Sequence, residues 1–153
     1  MKCIRDICSS REEKVMKRVF KLFLLFLIGG MSYMLVEMAY RGHTHWTMLI
    51  VGGVCFVLIG AQNELYTWEM PLILQCIVGS LIVTAVEFFG GCIINIKLGW
   101  EVWDYSGLPC NLLGQICLLF SCFWALLSVP AIILDDYLRY WLFGEDKPQY
   151  ILF

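Results

Sequence analysis

The fold is decided by the stretch Met70–Ile94, MPLILQCIVGSLIVTAVEFFGGCII, in which Glu87 is the one charged residue. A helix needs about 20 mainly apolar residues to cross the hydrocarbon layer of a membrane. This stretch is long enough, and the proline at its second position suits the first turn of a helix. We therefore predict that residues 70–94 form a membrane-spanning helix.

Three further apolar runs lie on either side of this stretch, at about 22–40, 46–62 and 112–134. The composition agrees, because 60% of the residues are hydrophobic and 16% are charged, against about 45–50% and about 25% in soluble domains. The predicted fold is all-α, a polytopic membrane helical bundle of four transmembrane helices. A short C-terminal interfacial helix is predicted at 137–143, since this aromatic-rich segment is too short to span.

Basic residues are concentrated near the N-terminus, where seven of the eleven lysines and arginines lie at or before Lys21. Since cytoplasmic segments carry an excess of lysine and arginine, both termini are predicted to be cytoplasmic. The chain then divides into a basic N-terminal segment (1–18), a transmembrane helical domain (19–143) and a cytoplasmic tail (144–153). The plasma membrane is the predicted location.

Two pairs of segments resemble each other within the chain. Residues 28–38 match 78–88, with a glutamate at the same place in each, and residues 50–56 match 112–118. A duplicated hairpin of two helices explains both matches, and chance similarity between apolar segments is the alternative. Related repeats recur in transporters, which place their sites at the repeat interface.

Glu87 lies on a stripe of small and polar residues. Residues three or four apart share one face of a helix, and that spacing joins Cys76, Ser80, Thr84, Glu87, Gly91 and Asn95. A charged side chain facing lipid costs at least about 2.5 kcal/mol, so the stripe faces other helices or water. Two interpretations remain open: a proton, cation or substrate site, or a buried carboxylate that hydrogen-bonds a neighbouring helix.

Glu37 precedes Arg41 by four residues, which is the spacing of an ion pair on a helix. Glu37 and Arg41 either neutralise each other, or Glu37 forms with Glu87 a site shared between the repeats. The candidate intramembrane polar site therefore comprises Glu37, Arg41, Ser80, Thr84, Glu87 and Asn95.

Common catalytic motifs are absent from the sequence. It has no phosphate-binding glycine loop, zinc-protease helix or nucleophile elbow, and no basic patch with interleaved aromatics of the kind that binds nucleic acid. His43 and His45 form a lone H-x-H, which is a weak metal signal. We therefore predict no enzymatic activity, no metal or other cofactor and no nucleic-acid partner. Whether Cys92 and Cys110 form a disulfide stays open.

The segment after the third apolar run carries the motif W-D-Y-S-x-x-P-x-N-x-x-G-x-I-C-L, formed by Trp103, Asp104, Tyr105, Ser106, Pro109, Asn111, Gly114, Ile116, Cys117 and Leu118. With Glu87-Phe88 and Gly91 upstream, it resembles the type IV ABC-transporter (CmpB-like) family of integral membrane proteins over about 87–127. The first hairpin is less similar, because the family's N-R-G entry reads Tyr40-Arg41-Gly42 here and the family's prolines are missing.

The resemblance implies a permease-like subunit of an ATP-driven transporter that lacks its own ATPase. Such a subunit lies in the lipid bilayer, forms a homo-oligomer or pairs with a partner membrane subunit, and recruits a separate ATPase. The alternative function is a non-catalytic membrane scaffold or regulatory subunit that packs with a partner membrane protein. Replacing Glu87 should abolish transport in the first case, and should impair folding or partner binding in the second.

Overall fold

The computed structural model describes residues 2–66 and 70–152, and their side chains apart from those of 2–10, 65 and 66. In chain order it contains α1 (Lys2–Arg41), α2 (Thr47–Tyr66), α3 (Leu72–Gly91) with a π-helical extension (Cys92–Lys97), the strands β1 (Asn111–Leu112) and β2 (Ile116–Cys117), and α4 (Leu118–Phe143). Four helices within these residues are long and apolar enough to span a membrane. The predicted all-α bundle of four transmembrane helices is confirmed.

Successive helices run in opposite directions, so the bundle has two ends. We call the end that carries residues 42–46 and 98–117 the loop side, and the end that carries 70–71 and 144–152 the termini side. α1 packs chiefly on α2, and α3 packs chiefly on α4, which gives two hairpins. Since α2 also packs on α3 and α4, whereas α1 meets α4 along a narrow seam, the hairpins are joined mainly through α2.

The core lies where α2, α3 and α4 meet. Its buried apolar side chains are Val51, Cys55, Ile59, Leu72, Cys76, Val83, Trp124 and Ile132. Each hairpin is drawn together at a glycine, because a side chain at Gly29 would collide with Phe56, and one at Gly79 would collide with Ser128. These two glycines occupy matching places in the sequence repeat, so the first helices of the two hairpins pack in a similar way.

The segment 111–117 forms a small hairpin in which β1 and β2 are antiparallel. α4 therefore begins at Leu118, later than the apolar run that starts near 112. The matching residues 50–56 lie inside α2. The second pair of the sequence repeat is thus not repeated in the fold.

The end of α4 corrects one prediction. Residues 137–143 are not a separate interfacial helix but the last turns of α4. The sequence indicated a boundary at Asp135 and Asp136, because adjacent carboxylates are costly in a membrane span. In the structure both are buried and bonded, Asp135 to Arg139 and Asp136 to Asn63, so the helix continues past them.

α1 is about twice as long as a membrane span. Its 40 residues measure about 60 Å at 1.5 Å per residue, whereas the hydrocarbon layer is about 30 Å thick. Lys21 Nζ lies 2.8 Å from Glu64 Oε1 near the end of α2, and every residue from 11 to 20 is exposed. The part of α1 before Lys21 therefore extends past the other helices on the termini side.

Candidate functional site

The carboxylate of Glu87 lies inside the bundle and is 2% exposed. Its Oε2 accepts a hydrogen bond from the indole Nε1 of Trp124 on α4, at 2.6 Å. Its Oε1 accepts one from the hydroxyl of Tyr105 in the loop before β1, at 3.2 Å. Two neutral donors from different elements therefore hold the carboxylate.

Tyr105 reaches this carboxylate because its loop is braced on both sides of it. Asp104 accepts hydrogen bonds from the backbone N–H of Ser106 at 2.8 Å and from its hydroxyl at 2.7 Å. The backbone N–H of Tyr105 donates to the carbonyl of Gly114 at 2.7 Å. The ring of Tyr105 stacks on Phe120, with 4.6 Å between centroids, which fixes the direction of its hydroxyl.

The same contacts set the electrostatics of the loop. The Ser106 backbone N–H bonded to Asp104 holds the pKa of that carboxyl below its usual range. Burial, followed by the negative charge of Glu87, raises the pKa of Tyr105. The phenol of Tyr105 thus stays protonated at neutral pH and remains a hydrogen-bond donor.

The other residues of the loop motif shape the turn rather than contact Glu87. Asn111 Nδ2 donates to the Leu108 carbonyl at 2.7 Å, and Asn111 Oδ1 accepts from the Gly114 N–H at 3.1 Å. Gly114 has a φ of +68°, a conformation that favours glycine. Cys117 is buried at 2% exposure, and Pro109 is exposed.

Asn95 fastens this loop to the π-helical end of the third span. Its Oδ1 accepts from the Val102 N–H at 2.8 Å, and its Nδ2 donates to the Trp103 carbonyl at 3.0 Å and to Gln115 Oε1 at 2.8 Å. Trp103 is 4% exposed and donates from Nε1 to the Gln115 carbonyl at 3.0 Å. The side chain of Asn95 is therefore engaged with this loop rather than with Glu87.

Ser80 and Thr84 join α3 to α4. Ser80 Oγ donates to the Ser121 carbonyl at 2.6 Å, and Thr84 Oγ1 donates to Ser121 Oγ at 3.0 Å. Polar contacts of this kind hold membrane helices together. The structure thus places these two residues at a helix interface.

Glu37 and Arg41 form the ion pair that their spacing predicts. Thr44 also donates to Glu37, and Arg41 Nη1 donates to the Val102 carbonyl at 3.3 Å. Glu37 is 8% exposed, so this pair is largely buried at the loop side. The contact with Val102 ties the first hairpin to the loop that carries Tyr105.

A crevice runs along the seam between α1 and α4. It contains two cavities of about 270 and 180 Å³, which share the lining residues Tyr33, Val36, Trp124 and Leu127. The larger cavity ends on the loop side at Glu37, Arg41 and Tyr105. Glu87 thus lies directly behind a wall of this crevice, since both of its hydrogen-bond donors line it.

The loop motif that presents Tyr105 to Glu87 is the part of the chain that resembles a known family, and the family comparison extends that match. The family described as "Putative ABC-transporter type IV" (ABC_trans_CmpB) matches residues 6–142. The chain belongs to this family. The match includes the first hairpin and most of α1, beyond the 87–127 segment that carries the sequence resemblance. No curated protein and no solved structure matches the chain.

This family member also has a charged cluster on the termini side that the sequence did not predict as a site. Arg139 donates to Asp135 and Glu64, and Lys21 Nζ contacts Glu64 at 2.8 Å and Glu145 at 2.7 Å. Arg139 is 4% exposed and Asp135 is 0% exposed. The i,i+4 spacing of Asp135 and Arg139 was a usable signal, but the apparent end of the apolar run there obscured it.

The histidines and cysteines do not converge in the described residues. No group of three or more His, Cys, Asp or Glu side chains there could hold a metal ion. His43 Nδ1 lies 3.0 Å from the Arg41 carbonyl and His45 Nδ1 lies 2.9 Å from Thr47 Oγ1. Cys92 and Cys110 are both free thiols.

Proposed function

We propose that this chain is a membrane transport component, a permease-like subunit that works with a separate ATPase and performs no enzymatic step itself. The observation that carries the proposal is the fully buried carboxylate of Glu87 beside the α1–α4 crevice. Family membership supports a role related to ABC transport. The chain acts as a homo-oligomer or with a partner membrane subunit.

Burying a carboxylate between helices costs more free energy than burying an apolar side chain there. An ionisable group within a membrane span is costly and is usually functional. Here it lies inside the second hairpin, directly behind the wall of the crevice that separates the two hairpins, and repeat-built transporters place their sites between the repeats. Its donors belong to separate parts of the molecule, α4 and the loop, so a displacement of either part would uncover the carboxylate.

Isolation of the native complex tests the transport role. The chain is purified from its own membranes in a mild detergent, and the ATP hydrolysis of the eluate is measured. We expect an ATP-hydrolysing partner in stoichiometric amount. Recovery of the chain alone as a monomer without ATPase activity would contradict the permease proposal.

Glu87→Gln then tests the site. The amide retains an oxygen for the Trp124 donor but removes the charge, so we expect normal folding and partner recovery with loss of the chain's effect on the partner's ATP hydrolysis. Glu101→Gln is the matched control, because Glu101 is an exposed carboxylate in the loop side. Unchanged coupling in Glu87→Gln would exclude Glu87 as the site.

A scaffold or regulatory subunit is the second candidate, and the contacts of Ser80, Thr84 and Asn95 favour it. All three form hydrogen bonds to neighbouring parts of the same chain, and these contacts stabilise the fold. On this proposal Glu87 is a further interhelical contact. Glu87→Gln would then reduce the yield of folded protein or release the partner, rather than leave an intact but uncoupled complex.

The orientation we propose puts both ends in the cytoplasm of a plasma-membrane protein. The supporting observation is the concentration of lysine and arginine at and before Lys21, in line with the excess found in cytoplasmic segments. Cys110, an exposed thiol on the loop side, should react with a membrane-impermeant maleimide in intact cells. The Cys110→Ser variant is the control. Labelling of Cys110 only after permeabilisation would show that the loop side faces the cytoplasm, which is the opposite orientation.

A further inference from the structure

The crevice between α1 and α4 is apolar at one end and charged at the other. The smaller of its two cavities reaches Ile59 on α2 and Leu134 on α4, and none of the described residues that line it is charged. The larger cavity reaches Glu37 and Arg41 on the loop side. Because the two cavities adjoin at the lining residues that they share, the crevice has the polarity of an amphiphilic ligand.

The length of the crevice matches one leaflet of a bilayer. Its lining extends from Gly29 to Arg41 on α1 and from Phe120 to Leu134 on α4. At 1.5 Å per residue these stretches measure about 18 and about 21 Å, and one leaflet supplies about half of the roughly 30 Å of hydrocarbon. One extended acyl chain therefore fits along the crevice.

The crevice has a buried floor and an exposed rim. Cys55, Ile59 and Val83 form part of the floor and are buried. Val36 and Leu127 line both cavities and are 48% and 38% exposed. An acyl chain of the surrounding bilayer can thus enter sideways between α1 and α4.

Aromatic pairs across the seam hold the two walls of the crevice in place. Tyr33 of α1 contacts Trp124 of α4, with 5.8 Å between ring centroids, and Tyr40 contacts Phe120, with 6.4 Å between centroids. Both distances are within the range of favourable aromatic pairs. The width of the crevice is therefore set by packed rings.

Arg41 is the accessible charge at the polar end. In the described part of the chain its guanidinium donates to Glu37 and to the Val102 carbonyl, and a guanidinium has five N–H groups, so donors remain for a ligand. The side chain of Arg41 is 26% exposed, whereas Glu37 is buried and also accepts from Thr44. The planar donor group of arginine suits phosphate oxygens, so the polar end favours a phosphate.

The polar end also lies at the level where lipid headgroups are expected. Arg41 is the last residue of α1. Trp46 and Trp100 contact each other on the loop side, with 5.7 Å between ring centroids, and are 58% and 45% exposed. Because exposed tryptophans are enriched at membrane–water interfaces, Arg41 is placed near the phosphates of the loop-side leaflet.

We propose that the crevice binds one phospholipid of the loop-side leaflet, with an acyl chain between α1 and α4 and its phosphate on Arg41. Glu37 orients the guanidinium and is not a ligand. The bound lipid contacts Tyr105 and Trp124, which line the crevice and donate to Glu87. The site belongs to the chain alone and does not depend on the transport function.

Native mass spectrometry and thermal unfolding of the full chain in mild detergent test the site. We expect one phospholipid to be retained per chain. After delipidation, phosphatidylglycerol should raise the melting temperature in a saturable way, as a ligand of the folded state does. Diacylglycerol with the same acyl chains lacks the phosphate and should give a smaller rise. Inorganic phosphate lacks the acyl chain and should give none.

Val36→Trp fills the crevice where the two cavities meet, so it should lose both the retained lipid and the rise. Leu35→Trp is the matched control, because Leu35 is the preceding residue of α1, is 70% exposed and lines neither cavity. Leu127→Trp fills the same place from α4 and replaces Val36→Trp if that variant does not fold. Arg41→Lys keeps the charge beside Glu37 but not the planar donor group, so it should reduce the preference for phosphatidylglycerol over diacylglycerol.

Three results would overturn the proposal. One is an equal rise with phosphatidylglycerol and diacylglycerol, which excludes the phosphate contact. Another is an equal effect of Val36→Trp and Leu35→Trp on lipid retention, which indicates general lipid around the helices and not a site. The third is a lipid-free dimer that Val36→Trp dissociates, since the crevice would then hold a second copy of the chain.

Discussion

At the scale of single residues, the indole of Trp124 is the closest partner of the Glu87 carboxylate. Trp124→Phe keeps an aromatic ring but removes the donor, which leaves Glu87 Oε2 unpaired in a buried place. We expect the free energy of unfolding to fall by about 1–3 kcal/mol, measured by thermal or denaturant unfolding in detergent. Trp141→Phe is the control, because Trp141 is 68% exposed on the same helix. An equal effect of both changes would show that the hydrogen bond from Trp124 to Glu87 contributes nothing measurable to stability.

Tyr105 makes a pH-dependent contribution. Burial raises the pKa of its phenol, while in the unfolded chain the group titrates at about pH 10. The protonated tyrosine stabilises the fold fully below that pH, and this stability is lost as the pH rises above it toward the folded-state pKa. Tyr105→Phe should therefore make the decline in melting temperature above about pH 10 shallower.

Tyr40→Phe is the matched control for this pH dependence, because Tyr40 is 73% exposed. That variant should follow the decline of the unmodified protein. If Tyr105→Phe also follows it, the phenol of Tyr105 does not carry the alkaline sensitivity.

The sequence alone predicts Glu87 as a buried polar centre, since its place on the stripe of α3 needs only the period of a helix. Its partners could not be predicted in this way. Tyr105 and Trp124 lie 18 and 37 residues further along the chain, and only the packing of the loop and α4 against α3 brings them to the carboxylate. The pairing of Glu37 with Arg41 was predictable because it is local.

At the scale of elements, the loop before α4 depends on the backbone conformation of Gly114. Its φ is +68°, and a side chain there would lie 2.6 Å from Asp104 Oδ1. Gly114→Ala should thus destabilise the loop by about 1–3 kcal/mol. Limited proteolysis between residues 98 and 117, with the melting temperature, measures the effect.

Gly107→Ala is the control for this change. A side chain at Gly107 would meet nothing within 4 Å, and a surface substitution of this kind stays within about 0.5 kcal/mol. Similar proteolysis of the two variants would show that the turn at Gly114 tolerates a side chain.

The four spans were predictable because hydropathy and length act locally and need no knowledge of partners. The β1–β2 hairpin was not, because it interrupts an otherwise apolar run and is stabilised by tertiary contacts of Asn95 and Trp103. Leu113 also has a positive φ of 53°, which is unusual for leucine and gives no signal in the sequence. The length of α4 was underestimated because Asp135 and Asp136 indicated that the chain leaves the membrane at that point.

At the scale of the whole molecule, Lys21 joins α1 to the rest of the termini side. It is 14% exposed and contacts both Glu64 and Glu145. Lys21→Met should leave these carboxylates without that partner and cost about 1.5–3 kcal/mol. Lys17→Met should leave the stability almost unchanged, because Lys17 pairs with Glu13 on the exposed surface of α1.

Thermal unfolding of the two methionine variants in the same detergent measures the difference. Equal stabilities would mean that the Lys21 bridge is as weak as an exposed pair. The comparison is well matched, since both lysines lie on α1, four residues apart.

The projecting part of α1 acts as a lever arm. From Lys21 back to Lys2 the helix is continuous and about 28 Å long at 1.5 Å per residue. A tilt of about 10° at the bundle moves the tip by about 5 Å on that geometry. A small tilt of α1 relative to the second hairpin thus becomes a larger displacement at the tip, outside the hydrocarbon layer. In the reverse direction, a force applied at the tip acts on the crevice with the leverage of this length.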